Sequence, residues 1–431
     1  MIVDDILGSK IIASWKISIA LILFFATCIG TATVFKQANF FYLASSFAQG
    51  KLYIGTASSP DDYRSNSSAP GDQLHNDLAY YHGKLYVALG PLPALLYLPF
   101  MPIIQTFNWW ILHAWSLLLF NLINLALLLR LGRLLKLNFN QQLWIAFAFM
   151  VGSSYIGVGL FSHPSALGHV IATMWVLAAL TEYFDRRRYW FIGILMGLGM
   201  ATRLSVGIGV LFFIFSALGD PLFHAIKVTS TKYHPVWNVI QLVIPFGVMF
   251  VLIGMYNYAR FDNFFESGYS YQLIQGSMKE ARDYALLSLQ HVPHNLYYFF
   301  FGLPHLLRDE TGVSRFPYFY FDGLGLSILF TSGYLLVLAT MRRIDWLTIK
   351  VSVTSLAVFS FLMMLFSSGQ FQYGYRFFLD FAPFIYCLLM AKIGSGEITL
   401  SRSLKSAILV WACVNYYLAV VCTFPILARL P

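Results

Sequence analysis

The chain has 431 residues, of which 58% are hydrophobic, 18% aromatic and 11% charged. A soluble protein carries about 25% charged residues, so a soluble globular reading is excluded. The formal net charge of +9 does not point to nucleic acid, because Lys and Arg fall in short clusters between apolar stretches rather than along one face. Cys28, Cys387, Cys413 and Cys422 lie in or beside apolar stretches with no CxxC pair, which gives neither a zinc site nor a disulfide framework.

About 20 apolar residues cross the hydrocarbon core of a bilayer, and charge-poor stretches of that length recur from Ile11 onward. They predict an all-α polytopic membrane protein, one transmembrane domain over residues 1–431. Its roughly eleven spans fall near 11–35, 110–130, 141–161, 165–182, 190–202, 204–219, 236–256, 323–341, 350–368, 378–392 and 405–425. The first stretch is too long for a signal-peptide core and has no small-residue cleavage site, so it reads as a retained span. Alternation from a cytoplasmic N-terminus puts sixteen basic and seven acidic residues inside and twelve of each outside. The whole excess is cytoplasmic, as the positive-inside rule requires, and no nucleic-acid partner is expected. Cytoplasmic connections are short, so chemistry belongs to two long external segments, 36–109 and 257–322.

In the first, NFFYLASSFAQG sets Phe40, Leu43, Ala44 and Phe47 on one helical face with Gly50 at the C-cap, a short amphipathic helix expected to lie flat on the membrane. SSPDDYRSNSSAPGDQ is a loop by composition, either a lid or simply solvated. Its Asp61 and Asp62 are candidates for a divalent cation, and Asn66 begins a glycosylation sequon. HNDLAYYHGKLYV brings Asp77 and Lys84 together with Tyr80, Tyr81 and Tyr86. These form either a site that deprotonates a hydroxyl beside a charged leaving group or an interfacial aromatic belt with a surface ion pair. PLPALLYLPFMP carries four prolines in twelve residues and reads as a short half-buried or re-entrant helix.

His163 falls in a tight external turn, as a structural residue or a substrate contact. Arg203 stands at the external end of the fifth span and needs an anion: a carboxylate, a lipid headgroup or the phosphate of a lipid-linked substrate. NYARFDNFFESGYSYQ supplies Arg260, Asp262, Glu266 and Tyr269, in a segment whose 17 aromatic residues either stack on sugars or form an interfacial belt. Arg376, in FQYGYRFFLDF, has Asp380 one helical turn on as its expected partner. No HExxH, GxSxG, P-loop or Rossmann pattern stands in a plausible context.

From about Lys36 to Pro383 the order of elements resembles the GT-C superfamily of membrane glycosyltransferases, which includes protein O-mannosyltransferases and lipid A aminoarabinose transferases. The resemblance rests on NFFYLASSFAQGKLY, DLAYYHGKLYVALGPLPALLYLPF, FDRRRYW, GLGMATRLSVGI, YNYARFDNFFESGY and YGYRFFLDFAPF in that order. It implies a polyprenyl-phosphate sugar as donor and reaction at the external face. Gly90 to Leu98 is similar to a family segment that opens with a basic residue and two prolines; here Gly90 takes the basic position and Lys84 is the nearest lysine. Arg203 matches the basic residue of the family's threonine-plus-lysine turn. Where the family often has acids, this chain has Gln37 and Asn39, then His163 and Ser165, so the base must come from elsewhere, and Asp77 is the best carboxylate available.

The expected protein is thus an inner-membrane glycosyltransferase of a bacterial type, with Asp77 as base. Its substrate contacts are expected from Lys84, His163, Arg203, Arg260, Glu266, Tyr269, Tyr373 and Arg376. Membrane lipids, the lipid-linked donor and an extracytoplasmic acceptor are its partners, and no cofactor is required, with a divalent metal left open. A transporter or flippase of lipid-linked saccharide is the alternative, and a glycan ligase or polymerase the third reading.

Overall fold

The computed structural model describes residues 2–32, 38–59, 77–104, 106, 109–161, 163–219, 235–370 and 372–423. Most of these are helical, and five helices are long and apolar enough to cross a membrane: Trp115–Leu134, Pro164–Asp185, Pro235–Phe261, Trp346–Met364 and Arg402–Cys422. The chain is therefore a helical membrane protein. The other six expected spans coincide with helices outside that set. One of them is interrupted: helix Phe139–Met150 stops, and the chain resumes as Tyr155–Leu160. The Ser153 hydroxyl donates to the Phe149 carbonyl at 2.5 Å and accepts from the Tyr155 amide at 3.1 Å, offering the backbone an alternative to continuing the helix. Helix starts are fixed by side chains that take the first orphan amides. Asn138 and Gln141 form a reciprocal capping box at 2.9 and 3.0 Å, and Asp345 accepts from the Thr348 amide at 2.8 Å.

Lipid is as apolar as leucine, so helices in a membrane associate through small residues and buried polar groups. Gly193, on helix Tyr189–Thr202, lies so close to helix Pro235–Phe261 that a Cβ would overlap the Leu242 carbonyl. Asn124 donates to the Tyr155 hydroxyl at 2.8 Å and to the Val170 carbonyl at 3.0 Å, and Tyr155 donates to Asn121 Oδ1 at 2.7 Å. Three helices are tied together by these bonds in a region with no water to compete.

The two ends of the bundle differ in charge. Helices Pro164–Asp185 and Tyr189–Thr202 pack as a hairpin, so Arg186, Arg187 and Arg188 lie at one end and Arg203 at the other. Lys350 Nζ donates to the Tyr183 hydroxyl at 3.0 Å and to Ser216 Oγ at 2.9 Å, which brings the start of helix Trp346–Met364 to the Arg187 end. Lys392 follows, bonded to Asp345 at 3.0 Å and Glu397 at 2.9 Å. Arg130 with Asp185, and Arg188 with Glu182, add two ion pairs to an end that keeps an excess of basic residues. The positive-inside rule predicts that a basic end faces the cytoplasm. Single cysteines at Arg187 and Arg343 are accordingly expected to react with a membrane-impermeant thiol reagent only after the membrane is opened, and cysteines at Asp77 and Arg308 in intact cells. Labelling of Arg187→Cys from outside would overturn the orientation.

Two small sheets depart from the all-α expectation. β1 (Gly55–Thr56), β2 (Leu78–Tyr81) and β3 (Lys84–Val87) form an antiparallel sheet in the order β1-β3-β2, while β4 (His305–Arg308) pairs with β5 (Ser314–Tyr320). His82 and Gly83, both at positive φ (46° and 75°), make the two-residue turn between β2 and β3. That is the type I′ geometry, whose twist matches the strands it joins. The segment that carries Tyr80, Tyr81 and Tyr86 is thus a hairpin. The amphipathic helix forms as Asn39–Ala48, but Phe40, Leu43 and Ala44 are buried in the protein, and Phe41 packs on Tyr97 with ring centroids 4.3 Å apart. Its apolar face rests on protein rather than on lipid. The proline-rich stretch forms the short helix Leu92–Tyr97, with Leu92, Pro93, Ala94 and Tyr97 buried. Asp61, Asp62 and Asn66 lie outside the described residues.

Candidate functional site

At the end opposite the basic clusters, four elements bring ionisable groups together. The β2–β3 hairpin carries Asp77 at its base, where the Asp77 carbonyl accepts from the Ala88 amide at 3.0 Å. The segment after helix Pro235–Phe261 runs beside β2: the Leu273 amide donates to the Leu78 carbonyl at 2.7 Å, and Gln272 Nε2 donates to Asp77 Oδ1 at 3.1 Å. Arg203 closes helix Tyr189–Thr202, and Arg376 opens the 3₁₀ turn Arg376–Asp380. Asp77, Tyr269, Arg203 and Asp380 all lie within electrostatic reach of the Arg376 guanidinium.

Asp380 does not serve Arg376. Its carboxylate accepts from Arg203 Nε at 2.8 Å and Nη2 at 3.1 Å, a bidentate fork, and from Ser205 Oγ at 2.5 Å. His169 Nδ1 stands 3.3 Å from the same carboxylate, with the ring fully buried. The expected pairing fails for a geometric reason: residues 376–380 form a 3₁₀ turn. Four residues on, a 3₁₀ helix has turned about 120° past its starting face, whereas an α-helix has nearly returned to it. Arg376 instead donates through Nη1 to the Gln370 carbonyl at 3.1 Å, and its Nε is buried without a hydrogen-bond partner. Burial pulls this guanidinium down to about 10, with Asp77 as the strongest opposing attraction; it is still a cation at pH 7. Burial likewise pushes the Tyr269 phenol above its ordinary range, although Arg203 draws it the other way. Tyr269 is therefore a neutral hydroxyl that can donate.

Five other expected site residues are engaged structurally. Lys84 is exposed, with its ammonium 5.0 Å from the centre of the Tyr53 ring; it sits at the turn end of the hairpin, about 13 Å along the strands from Asp77. His163 caps helix Pro164–Asp185, its Nδ1 accepting from the Ser165 amide at 3.2 Å. Arg260, 4% exposed, donates to the Val87 carbonyl at 3.0 Å and to Asn257 Oδ1 at 2.9 Å, and lies on the Tyr256 ring. It pins the hairpin to the helix. Glu266 accepts from the Gly268 amide at 2.6 Å and the Ser270 hydroxyl at 2.6 Å, shaping the turn that presents Tyr269. Tyr373 is buried, and its hydroxyl donates to Asn415 Oδ1 at 2.8 Å.

Gly90 marks a close approach of two backbone segments. A Cβ there would overlap the carbonyls of Ala201 and Thr202, so the chain reaching the proline-rich helix presses on the very end of the helix that carries Arg203. A basic side chain does not fit. Among the described residues, no group of three His, Cys, Asp or Glu side chains is placed to hold a metal. Sequence reasoning missed His169, Ser205 and Gln272; the one signal was a histidine inside an apolar helix. No family model, curated protein or solved structure matches this chain.

Proposed function

We propose that the protein is a bacterial inner-membrane glycosyltransferase, which moves a sugar from a polyprenyl-phosphate carrier to an extracytoplasmic acceptor, with inversion. The observation that carries this reading is the convergence of one loop carboxylate, Asp77, with two guanidiniums and a neutral tyrosine at the end of a bundle of apolar helices. Asp77 is the general base for the acceptor hydroxyl, and cations stabilise the departing phosphate. A phosphate leaves without a proton, so a single carboxylate suffices. A lipid-linked saccharide transporter would place its charged pair near the bilayer midplane; the buried Arg203–Asp380 pair sits at the C-terminal end of helix Tyr189–Thr202, which favours the enzyme.

The test is turnover. Purified protein in proteoliposomes, given a polyprenyl-phosphate sugar labelled in the sugar and an envelope extract as acceptor, is expected to release free polyprenyl phosphate as label enters a water-soluble or acceptor-bound product. Label that crosses the bilayer with its bond to phosphate intact would establish the flippase instead.

A further inference from the structure

We propose that the β4–β5 hairpin is seated in the outer leaflet of the bilayer, where phospholipid acyl chains cover an outward aromatic face formed by Phe316, Tyr318 and Tyr320. The inference is independent of the chemistry assigned to Asp77 and uses only the fold and the orientation read from the basic end.

Strand β5 alternates. Pro317 and Phe319 are half-buried, while Phe316, Tyr318 and Tyr320 are exposed, Phe316 at 68%. A strand with one face in water is polar on that face. This one presents three aromatic rings instead, those of Phe316 and Tyr318 lying 6.0 Å apart.

The packed side of the strand fixes its depth. The Pro317 carbonyl accepts from the Tyr417 hydroxyl at 2.7 Å, and Tyr417 belongs to the last apolar helix, Arg402–Cys422. At 1.5 Å per residue, Tyr417 lies about 22 Å from the Arg402 end of a helix about 31 Å long, against a hydrocarbon core about 30 Å thick. The hairpin is therefore level with the last turns of a span, at the end away from the basic clusters. A face that turns away from the protein at that level meets lipid.

The approach to the hairpin is apolar as well. Phe300, Phe301 and Leu303 line a cavity together with Val410, Trp411 and Val414 of the same span, and no charged side chain takes part in its lining. Val410 and Phe301 are both exposed, so the lipid-facing side of the span continues into the segment before β4. A saccharide stacked on the rings would need hydrogen-bonding groups around them, whereas the exposed residues of this segment include Phe301, Leu303, Leu306 and Val313.

Two features keep the seat shallow. The sheet has only two strands, and the unpaired backbone groups along its edges would be left unsatisfied deep in hydrocarbon. The tip carries Arg308, Asp309, Glu310 and Arg315, with Asp309 accepting from the Thr311 and Val313 amides at 3.0 and 2.9 Å and from Arg315 Nε at 2.9 Å. Tyrosines suit the boundary between acyl chains and headgroups. The two cations and two anions of the tip cancel, so aromatic burial sets the seat and lipid charge does not.

The test uses the full chain in phosphatidylcholine vesicles. Among the four cysteines Cys413 is the exposed one, so Cys413→Ala serves as background for Phe316→Cys, Tyr318→Cys and Glu310→Cys, each carrying a nitroxide. Collisions with oxygen, which concentrates in lipid, are expected to dominate at 316 and 318, and collisions with a water-soluble nickel chelate at 310, a severalfold difference in their ratio. Chelate-dominated collision at 316 in folded protein overturns the seat and leaves the face to a water-borne partner, a glycan or another protein. A second measurement needs no substitution: phosphatidylcholine with a diazirine near the headgroup end of one acyl chain should, on photolysis, label the peptide around Phe316 as well as the last span. Label on the span with none on residues 313–320 overturns the proposal. Both results should be unchanged when half of the lipid is phosphatidylglycerol; labelling that requires the anionic lipid would overturn an apolar seat in favour of an ionic one.

Discussion

Asp380→Ala is expected to lower the stability of the protein by about 3 to 5 kcal/mol, the cost of stranding a buried charge. The carboxylate accepts three hydrogen bonds, two from Arg203 and one from Ser205. Its removal leaves a guanidinium that is only 12% exposed without its anion. Against a total stability of about 5 to 15 kcal/mol for a folded domain, that is enough to lower the melting temperature sharply. Asp380→Asn should be milder, since an amide oxygen still accepts from Arg203. Pairing Asp380→Ala with Arg203→Leu should recover much of the loss, because removing both charges leaves neither unmatched. Thermal unfolding in detergent measures all three. Asp380→Ala melting with the wild type would show that this pair does not hold the site.

Asp77→Asn should retain the fold yet lose at least about two orders of magnitude in sugar transfer, within the hundredfold to ten-thousandfold range of a general base. The substitution keeps the size of the side chain and the oxygen that accepts from Gln272 Nε2. What it removes is the ability to take the acceptor proton. Transfer from a defined polyprenyl-phosphate sugar, followed alongside farnesyl phosphate affinity, separates the two consequences: the rate falls while binding does not. Transfer at near wild-type rate would dismiss Asp77 as the base and turn attention to Asp72 or the pair Asp61 and Asp62.

The apolar spans and the special status of Arg203 and Arg376 were legible because a membrane punishes charge wherever it occurs, so a dozen uncharged residues around one arginine carry information. Partners were not legible. Arg203 and Asp380 are 177 residues apart, and the sequence offered a nearer candidate for Asp380 whose spacing suits only an α-helix. The hairpin was missed because its tyrosines have two readings, and the His82–Gly83 turn between alternating residues was the feature that separates them. For Arg260 and Tyr373 the surroundings were not legible either. Each is buried: Arg260 donates from Nη1 and Nη2 while its Nε has no hydrogen-bond partner, and the Tyr373 hydroxyl donates to Asn415.

The hairpin is held at its base by Arg260, Gln272 and Leu273, while its tip at His82 is exposed. Its tolerance of altered length is therefore lopsided. Residues added at the tip would extend a projecting end and leave the base undisturbed, which makes position 82 a suitable place to attach a fluorophore or epitope. A single residue inserted between Asp77 and Tyr81 would slip the strand by one step and invert which face each side chain meets, turning the carboxylate away from Arg376.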